Sequence, residues 1–320
     1  MDMFKTTLSQ MLLMFMLILI GFALRKKSIL PDNAYVTMSK LETWVFVPAL
    51  NFSNMLKNFK VSTFSANASL ILHGFAMIVI ALIIAQPLAA LFVKRKLHDS
   101  VQDYQRNIYR YAMTFGNYGF MGNFIIEGIW GSTMLSKYLM FTMIISIVCS
   151  SWGLYILIPK DKNVSFVKNI TKGIITPPMI ALVAGMICGI LNLDRFIPGF
   201  VTNMLSNAKS CMGPVAMLLA GFVIGGFDVK KMLSNVKVYI ATAVRLIVLP
   251  AIFVLAFKFL GASKDILIFT LIAFGTPLGL NTIVYPAAYG GDTKTGASMA
   301  IISHTICVVT IPAMYLLLIG

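Results

Sequence analysis

Two short segments concentrate the residues able to hold a ligand: FGNYGFMGN, residues 115–123, and FGTPLGLNT, residues 274–282. Both interrupt otherwise apolar stretches, the first through Gly116, Gly119 and Gly122, the second through Gly275, Pro277 and Gly279. Proline removes an amide donor and clashes with the preceding turn, and each glycine costs a helix about 1 kcal/mol relative to alanine. A helix broken there presents the N–H groups of its second half, with a partial positive charge of about half a unit that suits a carboxylate. Asn117 and Asn281 add neutral amide donors at the breaks, with Asn123 and Thr282 close behind. Such donors replace the water an anion loses without burying a permanent countercharge. The expected ligand is therefore small and anionic, or has an anionic end. Close helix packing explains either segment alone, with glycine for contact and asparagine as interhelical glue. It gives no reason for a matched pair.

The elements that carry these segments belong to a membrane. The chain has 320 residues, 58% of them hydrophobic, a mean hydropathy of +0.86 and only 12% charged residues, more apolar surface than a soluble domain can hide. The net charge of +15 sits in short clusters between apolar segments, as in loops facing anionic headgroups, which speaks against nucleic acid as a partner. Cys149, Cys188, Cys211 and Cys307 lie in apolar stretches without close spacing, and read as small buried hydrophobes rather than a disulfide frame or metal site. Leu8 to Leu24 lacks a small-x-small cleavage signal before Arg25-Lys26-Lys27 and is kept as a span.

A span needs roughly 20 mostly apolar residues. Candidates lie near 7–24, 36–56, 69–93, 108–128 and 135–158, then near 174–192, 203–226, 237–259, 265–287 and 295–319. The polar segment KDKNVSFVKNITK separates the two groups, so the expected organisation is a first repeat over 1–158, a cytoplasmic linker over 159–173 and a second repeat over 174–320. Pro48 and Pro214, Pro87 and Pro250, and Asn117 and Asn281 recur at offsets of 163 to 166 positions. Five spans per unit force the second copy to lie upside down, and inverted repeats with paired interrupted spans point to a transport site. The expected fold is thus an all-α membrane protein: ten transmembrane helices in two inverted five-helix repeats, with helices four and nine broken. Most of the 26 Lys and Arg residues fall in loops after odd-numbered spans, which places both termini outside the cytoplasm of a cell membrane.

At these residues the sequence resembles the auxin efflux carrier family, which holds plant auxin exporters and bacterial malate and malonate permeases. The family's N-x-G-F-x-G-x-P pattern reads here Asn117-Tyr-Gly119-Phe120-Met-Gly122-Asn123-Phe124. Its T-P with a following Asn appears as Thr276-Pro277 and Asn281, and its YGGD run as Tyr289 to Asp292. FVPALNFSNM matches its second span through Pro48 and Asn51, and Thr176-Pro177-Pro178 matches the opening of its sixth. The resemblance implies that spans four and nine cross at their breaks. It also implies a scaffold of spans one, two, six and seven, commonly dimeric, and a moving unit made from the rest, working as an elevator. Phe124 stands where the family has proline, which leaves the break in span four to its glycines. The short 159–173 linker fits a compact bacterial-type permease rather than the long-loop plant exporters. The expected substrate-binding set is Asn117, Gly119, Phe120, Gly122, Asn123, Thr276, Pro277, Asn281, Thr282 and Asn51.

Ionisable groups within spans are functional candidates by default. Glu42 and Glu127 lie near predicted span ends and are expected to reach the interface; His73 and His304 lie inside spans, and His304 is open to reading as a core histidine bonded to a neighbouring helix. Any of these four is also a candidate to carry a coupling proton, a histidine most easily at physiological pH. Arg245 and Lys209 either attract an anion or snorkel to the surface.

Three classes of function follow from this reading. The leading one is a secondary transporter of a small organic anion, a carboxylate such as malate, malonate or an auxin-like acid. No cofactor is expected, and the coupling ion, H+ or Na+, stays open. A ligand-binding membrane sensor using the same pocket is expected to carry a cytoplasmic domain, and the sequence ends at Gly320, just after the last span. An enzyme lacks support, because Asp194, Asp228, Asp265 and Asp292 sit at loop edges and no HExxH, G-x-S-x-G or phosphate-binding loop occurs.

Overall fold

The computed structural model describes residues 2–93, 100–159 and 175–320. Every regular element among the described residues is helical. Six helical stretches are long and apolar enough to cross a bilayer: Phe4–Lys26, Ala68–Phe92, Val101–Ile156, Gly199–Gly225, Val236–Phe259 and Lys294–Leu318. Pro177–Ile190 is a shorter apolar helix. Large side chains such as Trp44, Leu91, Phe200 and Phe259 remain exposed on the outside, where lipid rather than water is the matching solvent. The expected linker, apart from Pro159, lies outside the described residues, as do Lys94 to Lys96.

Prolines shape the helices locally. The second apolar stretch runs as Ala34–Leu41, a π-helical turn Glu42–Phe46 and Val47–Asn58, which carries Pro48 in its first turn. The eighth repeats the arrangement: Val236–Ala243, a π turn Val244–Val248, then Leu249–Phe259 with Pro250. Proline cannot donate to the preceding turn, and in both places the ladder widens to π geometry just before it.

Helix Asp2–Lys26 lies against Gly199–Gly225, and Val47–Asn58 lies against Pro177–Ile190 while also touching Gly199–Gly225. Val61–Phe92 packs on Ser100–Thr114 and Asn123–Val148, and Lys264–Gly275 packs on Leu249–Phe259 and Lys294–Leu318. Small residues set the closest approach. A Cβ at Gly21 would collide with the Leu218 carbonyl, and one at Gly221 with the Ile18 carbonyl, so the two backbones touch directly.

The fourth and ninth apolar stretches are both broken. Helix Ser100–Thr114 stops, Phe115 to Asn117 are non-helical, and a π turn Tyr118–Gly122 leads into Asn123–Val148. Helix Lys264–Gly275 stops, Thr276 is extended with φ −68° and ψ 148°, and helix Asn281–Tyr289 follows. The gap expected between spans four and five falls at Gly131, whose φ of 81° and ψ of −178° suit only glycine and kink the helix there.

Candidate functional site

The two breaks lie against each other. The Asn117 main-chain N–H donates to the Pro277 carbonyl at 2.7 Å, and a Cβ on Gly279 would stand 3.6 Å from the Gly116 carbonyl oxygen. Each break thereby supplies part of what the other lost, as buried backbone must. Within the first, the Asn117 carbonyl accepts from the Met121 and Gly122 N–H groups, both at 3.0 Å; within the second, the Leu278 N–H donates to Ser303 Oγ at 3.1 Å.

A cavity of about 700 Å³ opens beside the crossing. Gly116 to Phe120 line it from one break, and Gly279 to Asn281 from the other, so the first turns of both second half-helices face the same space. The first N–H groups of a helix have no partner within it, and they carry its positive dipole end. Further lining comes from Thr43, Val47 and Asn51 of the second stretch, with Met179, Leu182 and Leu219. Among the described residues no charged side chain lines the cavity; its polar surface is built from amides, hydroxyls and a thiol.

Of the residues expected from the sequence, Asn51, Asn117, Gly119, Phe120, Asn123 and Asn281 line this cavity together. Gly122, Thr276, Pro277 and Thr282 lie behind it. A Cβ at Gly122 would meet the Tyr138 hydroxyl, which donates to the Tyr118 carbonyl at 3.1 Å. Thr276 and Thr282 are wholly buried, and the Thr282 hydroxyl donates to the Gly279 carbonyl at 3.0 Å. Pro277 serves through its carbonyl at the crossing. Asn51 donates to the Pro178 carbonyl at 2.9 Å, while its Oδ1 and that of Asn123 are buried without a partner. An amide oxygen buried without a partner is costly to the fold.

Sequence reasoning missed the aromatic and sulfur side of the cavity. Asn281 Nδ2 donates to the Tyr111 hydroxyl at 2.9 Å, and that hydroxyl lies 3.2 Å from Cys149 Sγ. Tyr111, Tyr118, Ser146 and Cys149 line the wall behind Asn281. Of the four cysteines expected to be buried, Cys149 and Cys307 are, Cys188 is half-buried and Cys211 is exposed, and Cys149 is also a hydrogen-bonding partner at the site.

The charged candidates resolve differently from expectation. Glu42 does not reach an interface: it is wholly buried, and neither carboxylate oxygen has a hydrogen-bond partner. Arg245 does not snorkel; it is 2% exposed and lies at the crossing. Lys209 pairs with Glu127 at 2.5 Å. His304 Nδ1 lies 2.8 Å from the Ala300 carbonyl, one turn back on its own helix, instead of on a neighbour. His73 does the same with the Ser69 carbonyl, at 2.7 Å.

Apolar helices that break in pairs, cross backbone to backbone and aim their N-termini into a shared cavity define a multi-pass membrane protein of the transporter class. The comparisons with known proteins agree with that class. The chain belongs to the auxin efflux carrier family, described as "Membrane transport protein", which it matches over residues 6–315. It is also 22% identical, over 256 residues, to an uncharacterized transporter of Methanothermobacter thermautotrophicus, covering 78% of this chain and 80% of that one.

Proposed function

We propose that this protein is a secondary active transporter of a small organic anion, a carboxylate such as malate, malonate or an auxin-like acid, working by elevator-type alternating access. The observation that carries the reading is the Asn117–Pro277 bond, which brings two half-helix N-termini to the lining of one cavity. A carboxylate there exchanges its hydration for main-chain N–H groups and the amides of Asn117 and Asn281, aided by two positive dipole ends. Asn51, Gly119, Phe120 and Asn123 complete the contact surface. Gly122, Thr276, Pro277 and Thr282 hold the breaks in shape from behind.

The placement of the cavity supports the elevator. Part of the lining belongs to Val47–Asn58 and the two helices that pack on it, Pro177–Ile190 and Gly199–Gly225; the rest belongs to the broken helices and their neighbours. A ligand in that seam travels with the broken helices if they slide along the other group. In this reading the ten spans form two inverted five-helix repeats, the first over 1–158 and the second over 174–320. The packed group is the scaffold of a homodimer in the cell membrane, and both termini face away from the cytoplasm. The sensor alternative uses the same pocket without net movement of ligand.

The test is uptake of radiolabelled malate, malonate and indole-3-acetate into proteoliposomes containing the purified protein. Saturable uptake lost in both Asn117→Ala and Asn281→Ala, with folded protein in each, is the expected result. Binding of a carboxylate without any flux supports the sensor, and unchanged flux in both variants removes the site from these residues.

A further inference from the structure

We propose that Arg245 is the fixed countercharge of the bound anion, acting through the backbone of the crossing as a positioning residue. This rests on the carboxylate site proposed above and names a charge that its lining lacks. Arg245 projects from the π turn Val244–Val248 of the eighth stretch, a helix that contributes nothing to the cavity wall. Its guanidinium ends immediately behind Gly116: a Cβ on that glycine would collide with Nη2. Gly116 itself lines the cavity, so a single residue of main chain, bare of side chain, separates the cation from the ligand space.

A helix cap is the plainer account of this arginine. Nη2 donates to the Ala273 carbonyl at 3.3 Å, in the last turn of Lys264–Gly275, and the guanidinium stacks 5.0 Å from the Phe274 ring centroid. Cations do favour helix C-termini. Capping uses little of the group, however. Nε and Nη1 are buried without a hydrogen-bond partner, and no ion pair to Arg245 occurs among the described residues. A buried guanidinium without a countercharge is expensive, and the protein's own acids do not relieve it. An anion arriving on the far side of Gly116 does. The arrangement also explains why a cavity with no charged lining can select a carboxylate: the charge stands outside the wall, where it cannot lock the ligand in a direct ion pair that would slow its release.

The experiment compares each acid with its neutral amide: malonate with malonamide, and indole-3-acetate with indole-3-acetamide, by calorimetry on the purified full chain. Wild type should prefer an acid to its amide by roughly tenfold or more, the size of effect one charge exerts across such a distance at an effective dielectric near 20. Arg245→Gln should lose that preference by weakening the acid alone, while Arg245→Lys, which keeps the charge, should retain most of it. Equal weakening of acid and amide in Arg245→Gln would mean a purely structural cap and overturn the proposal, as would an unchanged preference. If Arg245→Gln does not fold, wild type decides: equal binding of acid and amide sinks the countercharge while leaving the cavity a binding site. Binding of none of the four sinks the carboxylate site, and this inference with it.

Discussion

The Asn117 N–H and the Pro277 carbonyl meet at 2.7 Å, and through that bond two broken helices from opposite halves of the sequence share one junction. The bond is main chain to main chain, so the Asn117 side chain is free for other work. Its Oδ1 accepts from the Met121 N–H only at 3.5 Å, a contact too long to stabilise much.

Asn117→Ala should therefore leave the junction standing and remove a ligand contact. The expected outcome is a fall in carboxylate affinity of at least about tenfold, equivalent to the loss of one hydrogen bond to a charged group. The melting temperature should move by no more than about 2 °C, because the crossing bond survives. A large drop in melting temperature would show that the side chain supports the fold instead.

Asn281→Ala and Tyr111→Phe form a linked pair. Asn281 is held by the Tyr111 hydroxyl at 2.9 Å, and that hydroxyl is in turn 3.2 Å from Cys149 Sγ. Removing the hydroxyl frees the amide to rotate without deleting it. Tyr111→Phe should weaken ligand binding by a few-fold, less than Asn281→Ala, and the double variant should be no worse than Asn281→Ala alone. Additive losses would place Tyr111 and Asn281 on independent contacts.

Gly119 and Gly122 look alike in the sequence and should respond oppositely to alanine. A Cβ at Gly119 meets nothing within 4 Å, and the residue lines the cavity. Gly119→Ala should keep stability and reduce binding of bulky acids more than of malonate. At Gly122 the new methyl meets the Tyr138 hydroxyl and dislodges it from the Tyr118 carbonyl. Gly122→Ala should cost about 1–3 kcal/mol of stability, read by thermal unfolding, before any effect on selectivity.

These contrasts show how much of the site was legible beforehand and why the rest was not. The breaks themselves are written in residue type: Gly116, Gly119, Pro277 and Gly279 weaken a helix wherever they fall, and their pairing at one offset is visible without coordinates. Asn117 and Asn281 stand out because amides are rare at that depth. Tyr111 and Cys149 do not, since a tyrosine and a thiol in an apolar stretch look the same whether they face a core or a cavity. Arg245 was visible as a charge, but its burial depends on Gly116 arriving from another helix, which only the crossing brings about. Glu42 shows the same limit: nearness to a predicted span end said nothing of the helices packed over it.

Lys209 on helix Gly199–Gly225 and Glu127 on helix Asn123–Val148 pair at 2.5 Å, with about a quarter of each side chain exposed. The bond joins the packed group to the broken helices, the two bodies that must slide past each other if the elevator operates. An ion pair this accessible is worth about 0.5–1 kcal/mol, and neutralising either partner should favour the state in which they are apart. Lys209→Gln and Glu127→Gln should each change the transport rate by about two- to fivefold without altering ligand affinity, and the double variant should match the singles, because the shared contact is already gone. Rates that respond to neither substitution would mean that the pair stays closed throughout the cycle, and the boundary between fixed and moving helices would then lie elsewhere.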